Sequence, residues 1–285
     1  VSSPFSSLAV ALMTALLLLA FSGYQVTNET AGPRLLGRLA ASLVELDRWA
    51  PSHREDIQLL ARDRADATVL IDDLPVDVLV PSDAVLATGE DDQALSDLLR
   101  DAMGRRLYAE GRGVLQDEEG QSHLSVTDPV RWAVSMLDAD MHGTWRLALI
   151  GTALLTAVFA GSFVLSKRSP LAPMAAGAGL AVVVSFFGWL IAGGLDSMFD
   201  SAVDKEVVDV FREGAWLGLR NSLAAGAALL ALLYLYRTLV EPRIDYDDGY
   251  YWPGEEEDDY EARASEPVYG SEPIYDEEAS DARRN

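Results

Sequence analysis

Few residues in this chain are placed to do chemistry. The three histidines, His53, His123 and His142, are the first candidates for metal ligation or proton transfer. They are far apart, with no HExxH or HxH spacing that would set two imidazoles on one face of an element. Each therefore reads as a surface or capping residue. Asp72, Asp73 and Asp77 cluster at an expected turn. A calcium site needs about six to eight oxygens, and three acids at a turn read as solvated. The chain has no cysteine, which excludes disulfides, thiol catalysis and thiolate metal sites. No GxSxG elbow, P-loop or GxGxxG occurs. The expectation is a non-enzymatic protein with no catalytic, cofactor or metal site.

Two further groups carry chemical interest. Arg220 is the sole charge inside an otherwise apolar run, followed by Asn221 and Ser222. Intramembrane charges are functional candidates by default. Here the side chain is expected to snorkel to nearby headgroups or to pair with Asp196, Asp200 or Glu213, with a role in a polar pathway as the alternative. At the C-terminal end, SEPVYG is followed directly by SEPIYD, placing Tyr269 and Tyr275 in a repeated unit. Such a repeat reads either as solvated chain or as a docking motif, open to tyrosine phosphorylation and to bivalent partners.

The elements around these residues are set by hydropathy. Apolar runs occupy about 5–23, 145–166, 171–194 and 215–236. Each is long enough for a hydrocarbon core of about 30 Å, which takes roughly 20 helical residues. The first run is uncharged. It reads as an uncleaved anchor, with a signal peptide as the alternative, because Ala20-Phe21-Ser22 offers an A-x-S cleavage pattern while VSSPFSS lacks a basic n-region.

Orientation follows from basic residues in short loops. Lys167 and Arg168 lie between the second and third runs, and Arg237 and Arg243 follow the fourth. Both regions are expected in the cytoplasm. The segment 195–214 carries one Lys and one Arg against six acids and suits the outside. Trp145, Trp189 and Trp216 fall near the outer ends, and Tyr234 and Tyr236 near an inner end, as in an aromatic belt. The expected location is a microbial cytoplasmic membrane, multi-pass, with both termini inside.

Small residues predict helix contacts. Gly214, Gly218, Ser222 and Gly226 repeat every fourth residue in the fourth run. Such a ridge lets helices approach where burial of apolar surface supplies no drive. Ala153, Ala157 and Gly161 form a similar strip on the second run, and Ala175 and Gly179 on the third. Packing among the second, third and fourth spans is the first expectation, and homo-oligomerisation through the Gly214 ridge the second.

Between the first two runs, Leu35, Leu36, Leu39, Leu43 and Leu46 recur at helical spacing after Pro33. Pro51-Ser52 is expected to end that helix and cap another. ATVLI (67–71) and VDVLV (76–80) read as strands around a turn. A helix over about 91–110 presents Leu95, Leu98, Leu99, Met103 and Leu107. Asp128-Pro129 opens another helix, expected to run almost straight into the second span. Residues 197–213 place Met198, Val203, Val207, Val210 and Phe211 on one helical face, expected to lie on the bilayer or to dock on the domain.

The net charge is −23, and Lys occurs only twice against 20 Arg. An Arg-rich coding bias and a salt-adapted surface both account for this, and either excludes a nucleic-acid partner. Residues 241–285 hold 16 acids and 4 Arg, about half the net charge, in a composition that does not fold alone. Asn28-Glu29-Thr30 is a formal glycosylation sequon.

The expected fold class is an α-helical integral membrane protein with four transmembrane helices, a mostly helical α+β extracytoplasmic domain and a disordered acidic tail. Its expected divisions are 1–23, a domain at 24–144, a three-helix bundle at 145–240 with an external loop 195–214, and a cytoplasmic tail at 241–285. The leading functional expectation is a membrane scaffold or sensor, with the bilayer and a tail-docked protein as partners. The order of one span, a domain of about a hundred residues and three more spans is similar to the FtsX/MacB type of membrane subunit that pairs with an ABC ATPase. That resemblance, of topology only, implies a subunit of a transport or signalling complex. A membrane-surface enzyme using Asp72, Asp73 and Asp77 is the third alternative.

Overall fold

The computed structural model describes residues 4–64, 67–115, 128–166, 168–196, 199 and 201–240. The first apolar run forms helix α1 (Pro4–Val26). Asn28 then turns the chain, its side-chain oxygen accepting from the backbone N–H of Thr30 and of Ala31 at 2.9 and 2.7 Å. Helix α2 (Ala31–Leu43) would otherwise leave such donors unpaired at its start. The asparagine of the sequon is thus a capping residue.

The leucine ladder breaks at Glu45, which takes a φ of 50°, and α3 (Leu46–Asp63) follows. The expectation that Pro51 separates two helices is corrected, because Pro51 lies inside α3. There it forfeits one hydrogen bond, to the carbonyl of exposed Asp47, which water can satisfy. The break falls earlier because Leu46 must enter the core on a new helix, where it is almost completely buried.

Strands β1 (Thr68–Ile71) and β2 (Val78–Pro81) pair antiparallel, with Leu70 opposite Leu79. The period-2 pattern turns Val69, Ile71, Val78 and Val80 inward and leaves Leu70 and Leu79 exposed. After the short α4 (Ser82–Ala87), Asp91 caps α5 (Asp92–Glu110) by accepting from Gln93 and Ala94 N–H, both at 3.0 Å. A 3₁₀ turn, Gly111–Leu115, and α6 (Asp128–Leu137) complete this polar domain. Leu35, Leu36, Leu39, Leu46, Leu95, Leu99, Met103 and Leu107 make its core. Helices α2 and α5 touch backbone to backbone: a Cβ on Gly104 would strike the Pro33 carbonyl oxygen, and one on Gly37 the Arg100 carbonyl oxygen.

Helix α6 does not run on into the second span. Asp138 sits between it and α7 (Ala139–Leu165) with extended backbone, and its side chain accepts from Met141 N–H at 2.9 Å. A carboxylate with a free helix N–H within reach caps a new helix instead of continuing the old one.

Helix α8 (Leu171–Asp196) comes next, and α9 (Ala202–Leu239) is a single helix of 38 residues. The expected external loop 195–214 is therefore largely helix. Its valines are the reason: Val207 and Val210 are buried in the domain core, with Val203 and Phe211 packed against it. Of the two sites foreseen for this face, the helix takes the domain. Met198 lies outside the described residues.

Helices α1, α7, α8 and α9 are long and apolar enough to cross a membrane. They are not organised around the second, third and fourth spans as expected. Helix α1 packs on α7, α8 and α9, while α8 packs on α9. At the α1–α8 crossing a Cβ on Gly177 would strike the Ala11 carbonyl oxygen.

Candidate functional site at the junction of domain and bundle

Two groups of polar and titratable side chains contact one another across elements where the domain meets the bundle. On one side, the last turn of α1, the start of α7 and helix α5 converge. Tyr108 donates its phenolic proton to the Thr27 carbonyl at 2.8 Å. The Thr27 hydroxyl donates to the Gly23 carbonyl at 2.9 Å, and its oxygen lies 3.2 Å from His142 Nδ1. With the hydroxyl proton already committed, the favourable arrangement puts the imidazole proton on Nδ1, donating to Thr27. The His142 ring stacks on Tyr24 at 4.6 Å between centroids. One turn deeper, Trp145 of α7 fills the space beside Gly23.

Two groups here are electrostatically perturbed. Burial raises the Tyr108 pKa, helped by the negative charges of Glu29 and Asp138 and by Tyr24. The phenol therefore stays a donor well into the alkaline range. Burial also raises the Asp138 carboxyl above its ordinary value of 3.8, with Asp140 adding to the effect, while the N–H bonds from Met141 and Asp140 and the charge of Arg112 oppose it. Gly111, at a φ of 63°, passes so close that a Cβ there would lie 3.0 Å from Asp138 Oδ2.

The sign of the resulting pH dependence follows from linkage. A carboxyl that binds its proton more tightly when folded lowers stability as pH rises from its unfolded value through its folded one. Asp138→Asn keeps the capping oxygen and removes the ionisation. Thermal unfolding followed from acidic to neutral pH is expected to show a flatter profile for this variant, with higher stability at neutral pH. A steeper loss at neutral pH would mean that the charge on the cap matters more than its burial.

On the other side, α2 is tied to the first turns of α9. Arg34 pairs with Glu213, and Arg38 reaches Glu213 Oε2 at 3.0 Å and Glu206 Oε1 at 2.8 Å. The exposed Arg34–Glu213 pair is worth about 1 kcal/mol or less, and the Arg38 pairs are half-buried. Together they fix the angle of α9 on the domain, whose binding energy comes from Val207 and Val210.

Just inside the bundle, Asn221 Nδ2 donates to Gln25 Oε1 at 2.7 Å and to Ser22 Oγ at 3.3 Å, linking α9 to α1. The Ser22 hydroxyl itself donates to the Leu18 carbonyl at 2.9 Å. Sequence reading passed over this cluster. It took Ser22 as part of a cleavage pattern and noted Asn221 only as a neighbour of Arg220, although an amide inside an apolar run was the available signal.

The ridge residues of α9 face other helices. Gly214 lies against Val26, Gly218 against Ser185 and Ser22, and Gly226 against Ala178, while Ser222 is fully buried. The ridge is thus covered by α1 and α8 within one chain. On α8 the buried stripe is Gly177, Ala178, Ala181, Ser185 and Ala192; Gly179 has no neighbour close enough to touch a Cβ. On α7 the buried residues are Thr156 and Phe163, and Ala153 and Ala157 are exposed.

Arg220 is exposed on α9, one turn beyond Trp216 and two beyond Arg212. Helical side chains lean toward the N-terminus, so Arg220 leans toward Trp216 and the domain end. Glu213, one expected partner, is taken by Arg34 and Arg38, and Arg220 has no ion pair among the described residues. Asp72, Asp73 and Asp77 are exposed, and no group of three His, Asp or Glu able to hold a metal occurs among the described residues. His53 stacks on Trp49. His123, Lys167, Asp200, Arg243, Tyr269 and Tyr275 lie outside the described residues.

Comparison of the chain with known protein families, with curated proteins and with solved structures finds no match.

Proposed function

We propose that this chain is a membrane sensor or scaffold, without enzymatic activity, whose polar domain lies outside the cytoplasmic membrane and whose acidic tail docks partners inside. The observation that carries this reading is the continuity of α9. Its first three turns belong to the domain core, and the same helix runs through the bundle to Leu239, directly before the tail. A rigid helix shared by two compartments converts a displacement at one end into a displacement at the other.

The central position of α1 supports the anchor reading of the first span over a removed signal peptide. Val10, Thr14, Ala15, Ala20 and Ser22 are buried against other helices, and their removal would open the bundle. Basic residues support the orientation: Arg168 and Arg237 stand at the end away from the domain, and Lys167 and Arg243 adjoin them in sequence, in keeping with the positive-inside pattern. The repeated SEP-Val/Ile-Tyr unit, with Tyr269 and Tyr275, is the proposed docking element.

The cysteine-free sequence allows a direct test. Single variants Ser52→Cys, in the domain, and Ser280→Cys, in the tail, are exposed on intact cells to a membrane-impermeant thiol reagent. Labelling of Ser52→Cys alone is the expected result. Labelling of Ser280→Cys alone inverts the protein and overturns the external-domain reading.

A further inference from the structure

An apolar groove of about 650 Å³ lies at the level where the bundle gives way to the domain. Its walls come from three elements: Gly188, Ile191, Ala192 and Leu195 of α8, Val207, Val208 and Phe211 of α9, and Pro129 and Trp132 of α6. Trp132 stacks on Phe211 at 4.6 Å, yet half of its surface is exposed. Among the described residues Asp204 is the one charged residue of the lining. The volume falls within the range of small-molecule sites, roughly 300–1,000 Å³.

We infer that this groove takes the hydrocarbon chain of a bilayer lipid from the leaflet next to the domain. Three observations select that occupant. First, the groove is continuous with the apolar surface of α8, where Phe187, Leu190 and Ile191 are exposed, so a chain enters without crossing water. Second, a pair of tryptophans of the kind that forms an aromatic belt adjoins the lining in sequence: Trp189, next to Gly188, and Trp216 of α9 lie 6.5 Å apart. Third, the Arg212 guanidinium, on the residue that follows the lining Phe211, sits 5.3 Å above the Trp189 ring, a cation beside the groove for an anionic headgroup. The lining offers hydrocarbon to the chain, and Arg212 beside it offers a cation to the head. Occupancy would bridge α6, α8 and α9, the elements that join domain to bundle. The inference requires only that the apolar helices stand in a bilayer. It holds for either orientation, so an inverted topology would leave it intact.

The test uses the full chain in phosphatidylcholine vesicles containing a small fraction of phosphatidylglycerol with a diazirine near the end of its acyl chain. After photolysis, labelled residues are mapped by peptide mass spectrometry. Labelling is expected to concentrate on Ile191, Leu195, Val207, Val208 and Phe211, above the level at Leu154 and Val158, which are lipid-facing on α7. The filled variants Ile191→Trp and Leu195→Trp are expected to lower groove labelling by about tenfold, the loss of roughly two buried methylenes. Unchanged labelling of α7 in the same sample reports an inserted, folded bundle. Groove labelling no higher than that of α7, or undiminished in both filled variants, overturns the inference. An unlabelled groove beside a labelled α7 also overturns it, since protein would then fill the space.

Discussion

Gly104→Ala is expected to unfold the polar domain at temperatures where the native chain is folded. In most helices this exchange is favourable, by up to about 1 kcal/mol, because alanine is the better helix former. Here the new methyl would strike the Pro33 carbonyl oxygen and lie 2.9 Å from Gly37 N. Both neighbours are backbone atoms of α2, so no side-chain rotation relieves the clash. Helices α2 and α5 must separate, and Leu35, Leu36, Leu39, Leu99, Met103 and Leu107 all lie in the core they build. Overpacking of this kind costs about 1–3 kcal/mol when side chains can adjust, and a backbone contact belongs at or above the upper end. A domain holds only about 5–15 kcal/mol in total. The measurement is thermal unfolding of the detergent-solubilised chain, with Gly113→Ala, where a Cβ meets open space, as the control. Equal melting of the two variants would mean that the helices do not approach as described.

Val210→Asp is expected to release α9 from the domain. Val210 is almost completely buried in the domain core, and an unpaired carboxylate there costs on the order of 4 kcal/mol. The ion pairs to Arg34 and Arg38 cannot compensate. Hydrogen exchange is expected to rise in the first three turns of α9 and along α2, while the apolar part of the bundle stays protected. The same variant examines the sensor reading. A spin label on Thr238→Cys, at the far end of α9, is expected to change its line shape when the domain end is released. Val207→Asp should behave alike. An unchanged label with a released domain end would show that α9 carries no displacement across the bilayer, and would remove the mechanical basis proposed for the protein.

Much of the architecture was legible because its signals are local. The four apolar runs needed only length and hydropathy. The strands needed only alternation, seen in Val69 and Ile71 inward against Leu70 outward. The apolar face of α5, with Leu95, Leu99, Met103 and Leu107 inward, also follows from spacing, whereas the capping role of Asp91 went unread. Pro51 misled because proline is a boundary signal only where the missing N–H would be buried, and exposure was not visible. Residues 197–213 carried a helical pattern that fits two surfaces equally well, a bilayer and a protein core.

The junction was less legible for a different reason. Thr27, Tyr108 and His142 are far apart in sequence and unremarkable singly; α1, α5 and α7 bring them together. The same holds for Asn221 with Gln25 and Ser22.

By itself, the sequence determined that four helices are long and apolar enough to span a bilayer, that the intervening segment folds around leucine and valine, and that the fourth span carries a ridge of small residues. Only the tertiary structure decided which faces of those spans meet. Lipid and helix interior are equally apolar, so hydropathy does not fix the rotation of a spanning helix about its axis; close packing of small groups does. So Gly177, Ala178 and Ala181 of α8 turn inward rather than Gly179, while α7 turns Thr156 and Phe163 inward and leaves Ala153 and Ala157 outside.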